Sequence, residues 1–254
     1  MYSLTDAAML QLGLGSSLSR GGVLSAGFAN AYSLDFDGTD DHIEISDDSS
    51  LALANEFTFS VWCRPTDSGG SQKLIDRGTV YSLHWDQENN KFGFSTTRSG
   101  NKHLYFGSTS SLNTWYHVVG VTSGGGGSGT MALYVTEAGE SFGSAATRGS
   151  LQNATTDTSS FFIGSYDGAA YFTGLIDEVA VWDAALDADA VAAIYNSGVP
   201  IALDADDGNY DNSGDLQGWW RFEEGSGTSA TDSSTNSNTG TFTSAPAYST
   251  DVPL

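Results

Sequence analysis

One cysteine, four prolines and nine basic residues are few for a chain of 254 residues. With Cys63 alone no intrachain disulfide can form, so a cross-link does not hold this fold together. Cys63 stands in the apolar run FTFSVWCRP, where a small core residue is expected rather than a reactive thiol. Nine Lys and Arg against thirty-one Asp and Glu leave a formal charge of −22. So negative a surface repels the phosphates of nucleic acid and anionic bilayers, and it favours solubility and divalent cations. No run approaches the roughly 20 apolar residues that span a membrane, which excludes insertion by a helix. The N-terminus has no basic region ahead of a compact apolar core, so Sec export is not expected. Also missing are the H-x-x-x-H or H-x-H spacings of a zinc site and the G-x-S-x-G of a nucleophile elbow. His42, His84, His103 and His117 are scattered.

What the chain does have is glycine, thirty-one of them, with many Ser, Thr and Asn. That composition suits short strands joined by turns. Strands are predicted at 32–45 around an acidic turn, then at 73–76, 80–86, 91–96, 103–106, 115–122, 131–135 and 161–165. The glycine run at 124–129 reads as a hairpin tip, because no Lys-Ser/Thr pair or helix follows it as in a phosphate loop. The fold class is therefore all-β.

The most informative stretch is YFTGLIDEVAVWDAALDADAVAAIYNSG, 171–198. Its first half alternates: Leu175, Asp177, Val179 and Val181 on one side, Ile176, Glu178, Ala180 and Trp182 on the other. A strand covered on both faces is expected. Then the period changes. Asp187 can cap one short helix carrying Val191, Ile194 and Tyr195 at i, i+3, i+4, and Gly198 fits a left-handed C-terminal turn.

This ending, together with LDFDGTDDHIEI, FTFSVWCRP and LNTWYHVVGVT, resembles the laminin-G-like, concanavalin-A-like lectin/glucanase domains. The resemblance implies an antiparallel β-sandwich jelly roll with one short helix. Leu216–Phe222 (LQGWWRF) and the loop after it resemble the family's first strand, which normally precedes the FDG motif. Either a second module is truncated or one sandwich is circularly permuted. Trp219, Trp220 and Phe222 on a lone strand would leave large aromatic surfaces wet, which favours permutation. The expected organisation is an arm at 1–31 and a sandwich at 32–254, with 216–222 completing it.

Glucan-cleaving relatives carry an E-x-D-x-x-E strand; alternation then presents its carboxylates on one face. No glutamate here begins such a pattern, so a non-catalytic role is expected. The resemblance also implies a structural Ca²⁺ held by the Gly38 carbonyl and Asp177, with Asp37, Asp40 and Glu223 as acidic neighbours; the competing reading is that Asp177 bonds only to backbone. Trp85, Tyr105, Tyr166 and Tyr171 border turns and are the candidate platforms for a sugar ring.

Acidic, cysteine-poor chains with an arm before one such sandwich resemble structural or adhesion proteins of marine phages. That implies a virion component, a capsid decoration, fibre or tail-associated protein, displaying a lectin-like domain towards surface glycans. The alternative is a free, extracellular lectin module of a marine bacterium, and a glycan-active enzyme comes last. The arm carries Leu10, Leu12, Leu14, Val23, Leu24 and Phe28, apolar residues expected to bind sister subunits or other particle proteins.

Overall fold

The computed structural model describes residues 28–253, apart from 79, 87–88, 98–101 and 155–157. Leu10, Leu12, Leu14, Val23 and Leu24 lie outside the described residues. The described elements are β1 (Ser33–Asp37), β2 (His42–Ile45), β3 (Phe57–Pro65), β4 (Ser71–Arg77), β5 (Tyr81–Asp86), β6 (Lys91–Thr96), β7 (Lys102–Tyr105) and β8 (Tyr116–Ser123). After these come β9 (Gly129–Glu137), β10 (Ala146–Leu151), β11 (Phe161–Ile163), β12 (Thr173–Trp182), α1 (Ala188–Tyr195), β13 (Leu216–Trp220), β14 (Ser229–Ala230), β15 (Gly240–Thr243) and β16 (Ala247–Ser249). Every strand pairing is antiparallel.

Two eight-stranded sheets face each other. The first runs β10-β9-β8-β3-β12-β1-β16, with β13 also on β12; the second runs β14-β15-β2-β11-β4-β5-β6-β7. Alternation within the strands supplies the core between them: Phe57, Phe59 and Val61 from β3 meet Leu83, Trp85, Phe92 and Phe94 from β5 and β6, all fully buried. Cys63 belongs to this core, and burial pushes its thiol pKa up, so it packs as a small apolar group.

The helix lies on the outer face of the first sheet. Asp187 caps it by accepting the Ala190 N–H at 2.9 Å, and Val191 and Ile194 bury against Trp182 and Trp219. Each such side chain contributes about 1.5–3 kcal/mol. The left-handed residue that ends the helix is Asn196 (φ 43°), two positions before the expected Gly198, which has its own positive φ in the turn that follows.

β12 departs from the simple alternation expected of it. Asp177 faces Trp62 and Ala180 faces Ser60 on β3, so Glu178 and Val179 together oppose the single residue Val61. Glu178 takes a left-handed φ of 46°. This β-bulge shifts the phase by one residue: Ile176 points into the core, and so do Val179 and Val181, while Ala180 and Trp182 turn to the helix. The edge of β12 opposite β3 is shared end to end. Its first half pairs with β1 and its second half with β13, and the bulge lies between.

The C-terminal segment thus builds into both sheets. Trp220 is fully buried in the main core, stacked on Phe161, and Trp219 is covered on the helix side. Further on, β15 pairs with β2 and β16 with β1.

Candidate functional site

On the second sheet, residues that alternate with the core residues of β4 to β7 face outward. Register sets them in two rows across the strands. One row reads Asp76, Ser82, Ser95, His103; the next reads Lys73, His84, Gly93, Tyr105. With strands about 4.8 Å apart, each row spans roughly 14 Å. Above them sits a cleft of about 340 Å³, lined also by Ser71, Thr97 and Tyr166.

Tyr166 reaches the cleft from a tight turn. Its amide and carbonyl bond to those of Ala169 at 2.7 and 2.8 Å, closing over Asp167 (φ 40°) and Gly168 (φ 74°). Asp-Gly suits a two-residue turn that needs two left-handed positions. The Lys73 N–H donates to the Ala170 carbonyl at 2.9 Å and fixes the turn beside β4.

Inside the cleft, Lys73 Nζ donates to Ser82 Oγ at 2.7 Å and lies 3.7 Å from Asp76. Burial lowers the lysine's pKa, and Asp76 opposes that fall. Ser95 Oγ lies 2.8 Å from His103 Nδ1. His84 is buried under the cleft floor; a Cβ on Gly93 would lie 2.2 Å from its Nε2, so the glycine is what makes room for the imidazole. Burial, with Lys73 beside it, takes His84 down to about 3, and the ring stays neutral at ordinary pH. Tyr105 stands edge-on to His84 (5.7 Å) and parallel to His103 (6.4 Å, 12°).

A second group of polar residues gathers where β1 and β13 meet on β12. Glu178 accepts from the Trp219 indole at 2.6 Å and from Arg221 Nε at 3.2 Å. Asp177 accepts from Asn30 at 3.0 Å and from the Glu178 N–H at 2.8 Å. Burial raises both carboxyl pKa values; Glu178 further raises Asp177, while Arg221 and Trp219 pull Glu178 back. Glu223 accepts the backbone N–H groups of Ala31 and Tyr32 at 2.8 and 3.0 Å. Arg221 also donates to the Ala29 carbonyl and lies 4.2 Å from the Phe28 ring centre. Phe28, assigned to an attachment arm by sequence, instead stacks on Trp219 of its own domain.

A third arrangement has the look of catalysis. Ser60 Oγ lies 2.7 Å from His117 Nε2. Both are buried, Trp62 stacks on the imidazole at 4.6 Å, and burial takes His117 down to about 3. The space beside them is about 10 Å³, room for one water and no substrate.

Residues 37–192, more than half of the chain, match the profile of the family described as the concanavalin A-like lectin/glucanases superfamily. The chain belongs to this superfamily. No curated protein matches it. Among solved structures it is similar to a proposed carbohydrate-binding protein of Bacteroides ovatus, with 16% identity and a TM-score of 0.66 over 89% of this chain. The chain spans 62% of the length of that protein. It is also similar to the heptameric SAP-like pentraxin of Limulus polyphemus, with 17% identity and a TM-score of 0.49, covering 65% of this chain and 82% of the other. The CBM40 of the Ruminococcus gnavus IT-sialidase, bound to α2,3 sialyllactose, shows 14% identity and a TM-score of 0.48, covering 66% and 96%.

The calcium ligand set implied by the superfamily does not assemble as expected. Gly38 follows Asp37, whose partner on β12 is Thr173, whereas Asp177 lies four residues further along. At about 3.3 Å per residue that is about 13 Å, too far for one cation. Glu223 belongs to the Asp177 group. Asp37 and Asp40 do come together with Asp41, their oxygens all within 4.8 Å of one another. Two of these carboxylates already hold the turn: Asp37 accepts from Thr39 N–H at 2.7 Å, and Asp41 from Asp37 N–H at 3.1 Å.

Of the four expected platforms, Tyr105 and Tyr166 share the cleft. Trp85 does not: it is fully buried and packs on Phe92 at 4.8 Å. Tyr171 is half-buried beside His42, at 6.0 Å, outside the cleft. Sequence reasoning passed over Lys73, His84 and His103, although strand parity carried a signal. If Leu83 and Trp85 point inward, His84 must point out.

Proposed function

We propose that the chain is a non-catalytic saccharide-binding module whose ligand lies in the cleft over β4 to β7, with Tyr105 as the stacking platform. One observation carries this reading. Among the described residues three large hydrophobic side chains are exposed, Tyr105 (43%), Tyr166 (37%) and Val199 (47%), and two of the three line this one cleft. An aromatic face left in water beside convergent hydroxyl, imidazole and ammonium groups suits a sugar, which offers C–H groups to the ring and hydroxyls to the polar row. The carbohydrate-binding description of the Bacteroides ovatus protein agrees with it.

Ester hydrolysis is disfavoured on geometry. Lys73 and Ser82 are within hydrogen-bond reach, but the backbone amides around Ser82 belong to strands paired on both sides, and a tetrahedral intermediate needs free donors.

We read the module as a displayed adhesion domain of a phage particle, held through the residues before Phe28. Phe28 is rooted on the outer face of the first sheet and the cleft opens on the outer face of the second. A domain held by that root would turn its cleft outward. In the alternative reading, a free lectin module, the cleft works the same way without an attachment.

The experiment is a glycan array with the full chain and the variant Tyr105→Ala. Saccharide binding that Tyr105→Ala abolishes at unchanged melting temperature supports the cleft. Binding unaffected by that variant overturns it.

A further inference from the structure

The acidity of this chain is unevenly distributed. Residues 71–105, which contain β4 to β7, hold five Lys and Arg against three Asp and Glu, a net of +2. The other residues hold four against twenty-eight, a net of −24. In a sequence with more than three acids for each base, a stretch of net positive charge stands out, although the outer face of this sheet also carries Asp86, one row beyond Lys73 and His84, where it registers with Lys91. Among the described residues that line the cleft Asp76 is the one acid, and it is 2% exposed and turned towards Lys73.

Among the described residues, the cations outside this region are otherwise engaged. Arg64 pairs with Asp251 at 3.2 Å and Arg221 with Glu178. Arg148, from β10, donates to the carbonyl of His103 at the cleft's edge. The cleft itself holds Lys73 and two of the chain's four histidines. An ammonium has three N–H donors, and the Lys73 contacts with Ser82 and Asp76 leave one for a ligand. His103 spends Nδ1 on Ser95 and keeps Nε2.

We propose that the saccharide taken by this cleft is anionic, its carboxylate or sulfate group meeting Lys73 and His103 while a ring of the same chain lies on Tyr105. This rests on the cleft being the saccharide site. The charge map gives the reason for selectivity. The remaining surface repels a polyanion, so such a ligand is accepted in one place and in one orientation. The same −24 surface opposes its approach from a distance. Affinity is therefore expected to improve, or hold, as salt rises from low values towards a physiological Debye length of about 8 Å. A basic docking groove on a basic protein would show the opposite trend.

The test is calorimetric titration of the full chain with matched polysaccharide pairs: polygalacturonate against its methyl ester, and a sulfated galactan against the desulfated form. The uronate pair reports carboxylate recognition and the galactan pair sulfate recognition. At least one anionic member is expected to bind about tenfold or more tightly than its neutral partner, the worth of one charge-assisted contact. Lys73→Gln should remove that preference while weak, Tyr105-dependent binding to both members persists. His103→Ala, an exposed position, serves as a second variant should Lys73→Gln lower the melting temperature. Equal, Tyr105-dependent binding of neutral and anionic partners overturns the inference and leaves the saccharide site standing. Binding by neither, or binding indifferent to Tyr105→Ala, overturns the site and the inference together.

Discussion

The indole N–H of Trp219 donates to Glu178 Oε2 across 2.6 Å, joining a strand from the C-terminal part of the chain to the bulge of β12. The bulge is what makes the bond available. A left-handed Glu178 breaks the alternation of β12 and leaves a buried carboxylate where β1 and β13 abut. Arg221 closes the arrangement with a hydrogen bond to the other oxygen and its guanidinium against Phe28 and Trp219. Replacing Arg221 by Met is expected to cost about 1–3 kcal/mol, the range for a hydrogen bond to a buried polar group plus a cation–π contact. Urea unfolding of the two proteins measures it, and an unchanged midpoint would mean the seam is idle.

The pH dependence has a definite sign on each side. Burial raises Asp177 and takes Glu178 from 4.5 to about 8, so the native state binds the extra protons. Their contribution is present below the unfolded values and is lost as pH rises through the native ones. His84 and His117 run the other way, lowered from 6.5 to about 3, and their contribution is lost as pH falls below 6.5. The two trends oppose each other between about 4.5 and 6.5. Melting temperatures should show a plateau there and decline on both sides. Asp177→Asn should flatten the alkaline decline, since an amide needs no proton to be neutral. If that variant declines as steeply as the parent, the carboxyl pair is not the cause.

Trp85 and Tyr105 should separate stability from binding. Trp85→Ala empties part of the core and is expected to cost about 3–5 kcal/mol. Tyr105→Ala should cost less than about 1 kcal/mol while removing saccharide affinity. Thermal unfolding beside a binding titration of each variant distinguishes them.

Gly93→Ala places a methyl group against the His84 ring. A loss of about 1–3 kcal/mol is expected from such overpacking. Adding His84→Ala should return part of it, giving a coupling measurable in a double-mutant cycle. Additive losses would show that Gly93 matters for some reason other than the imidazole.

Truncation should show where the folded domain starts. Removing residues 1–27 leaves Phe28, Asn30 and the carbonyl of Ala29 in place and is the reference for the comparison. Removing 1–31 also takes away Phe28, Asn30 and the carbonyl of Ala29, and should destabilise the sandwich by several kcal/mol. Equal melting temperatures for the two truncations would restore the boundary at Tyr32 expected from sequence.

Much of the sandwich is legible in the sequence because alternation is a local property. FTFSVWCRP and YHVVGVT declare their inner faces without help from distant residues, and Asp187 announces its helix. The β12 bulge is not legible. DEVAVW alternates whether or not a residue is looped out, and the decision lies with partners on β3 and β13. The cleft falls between these cases. Tyr105 and Tyr166 stand out because large rings near turns are hard to bury, whereas Trp85 looks the same on paper and is core. Its neighbours Phe92 and Phe94 settle which way it faces, and they act through register, which one strand alone does not encode. The calcium set failed for a similar reason: motif resemblance supplies residue types, while distance along β12 is set by pairing.

The positions of β15 and β16 bear on how the chain is made. The edges of β2 and β1 are completed by residues 240–249, about two hundred positions after β1 and β2 leave the ribosome. β13, which covers the second half of β12, also comes late. At roughly 5–20 residues per second, these first two strands, one in each sheet, wait on the order of ten seconds or more with unpaired backbone on their flanks. A nascent chain stalled before residue 216 would carry open edges on both sheets, the state most exposed to pairing with a neighbour on the same polysome. The high negative charge then has a use during synthesis as well, since it keeps unfinished copies from meeting.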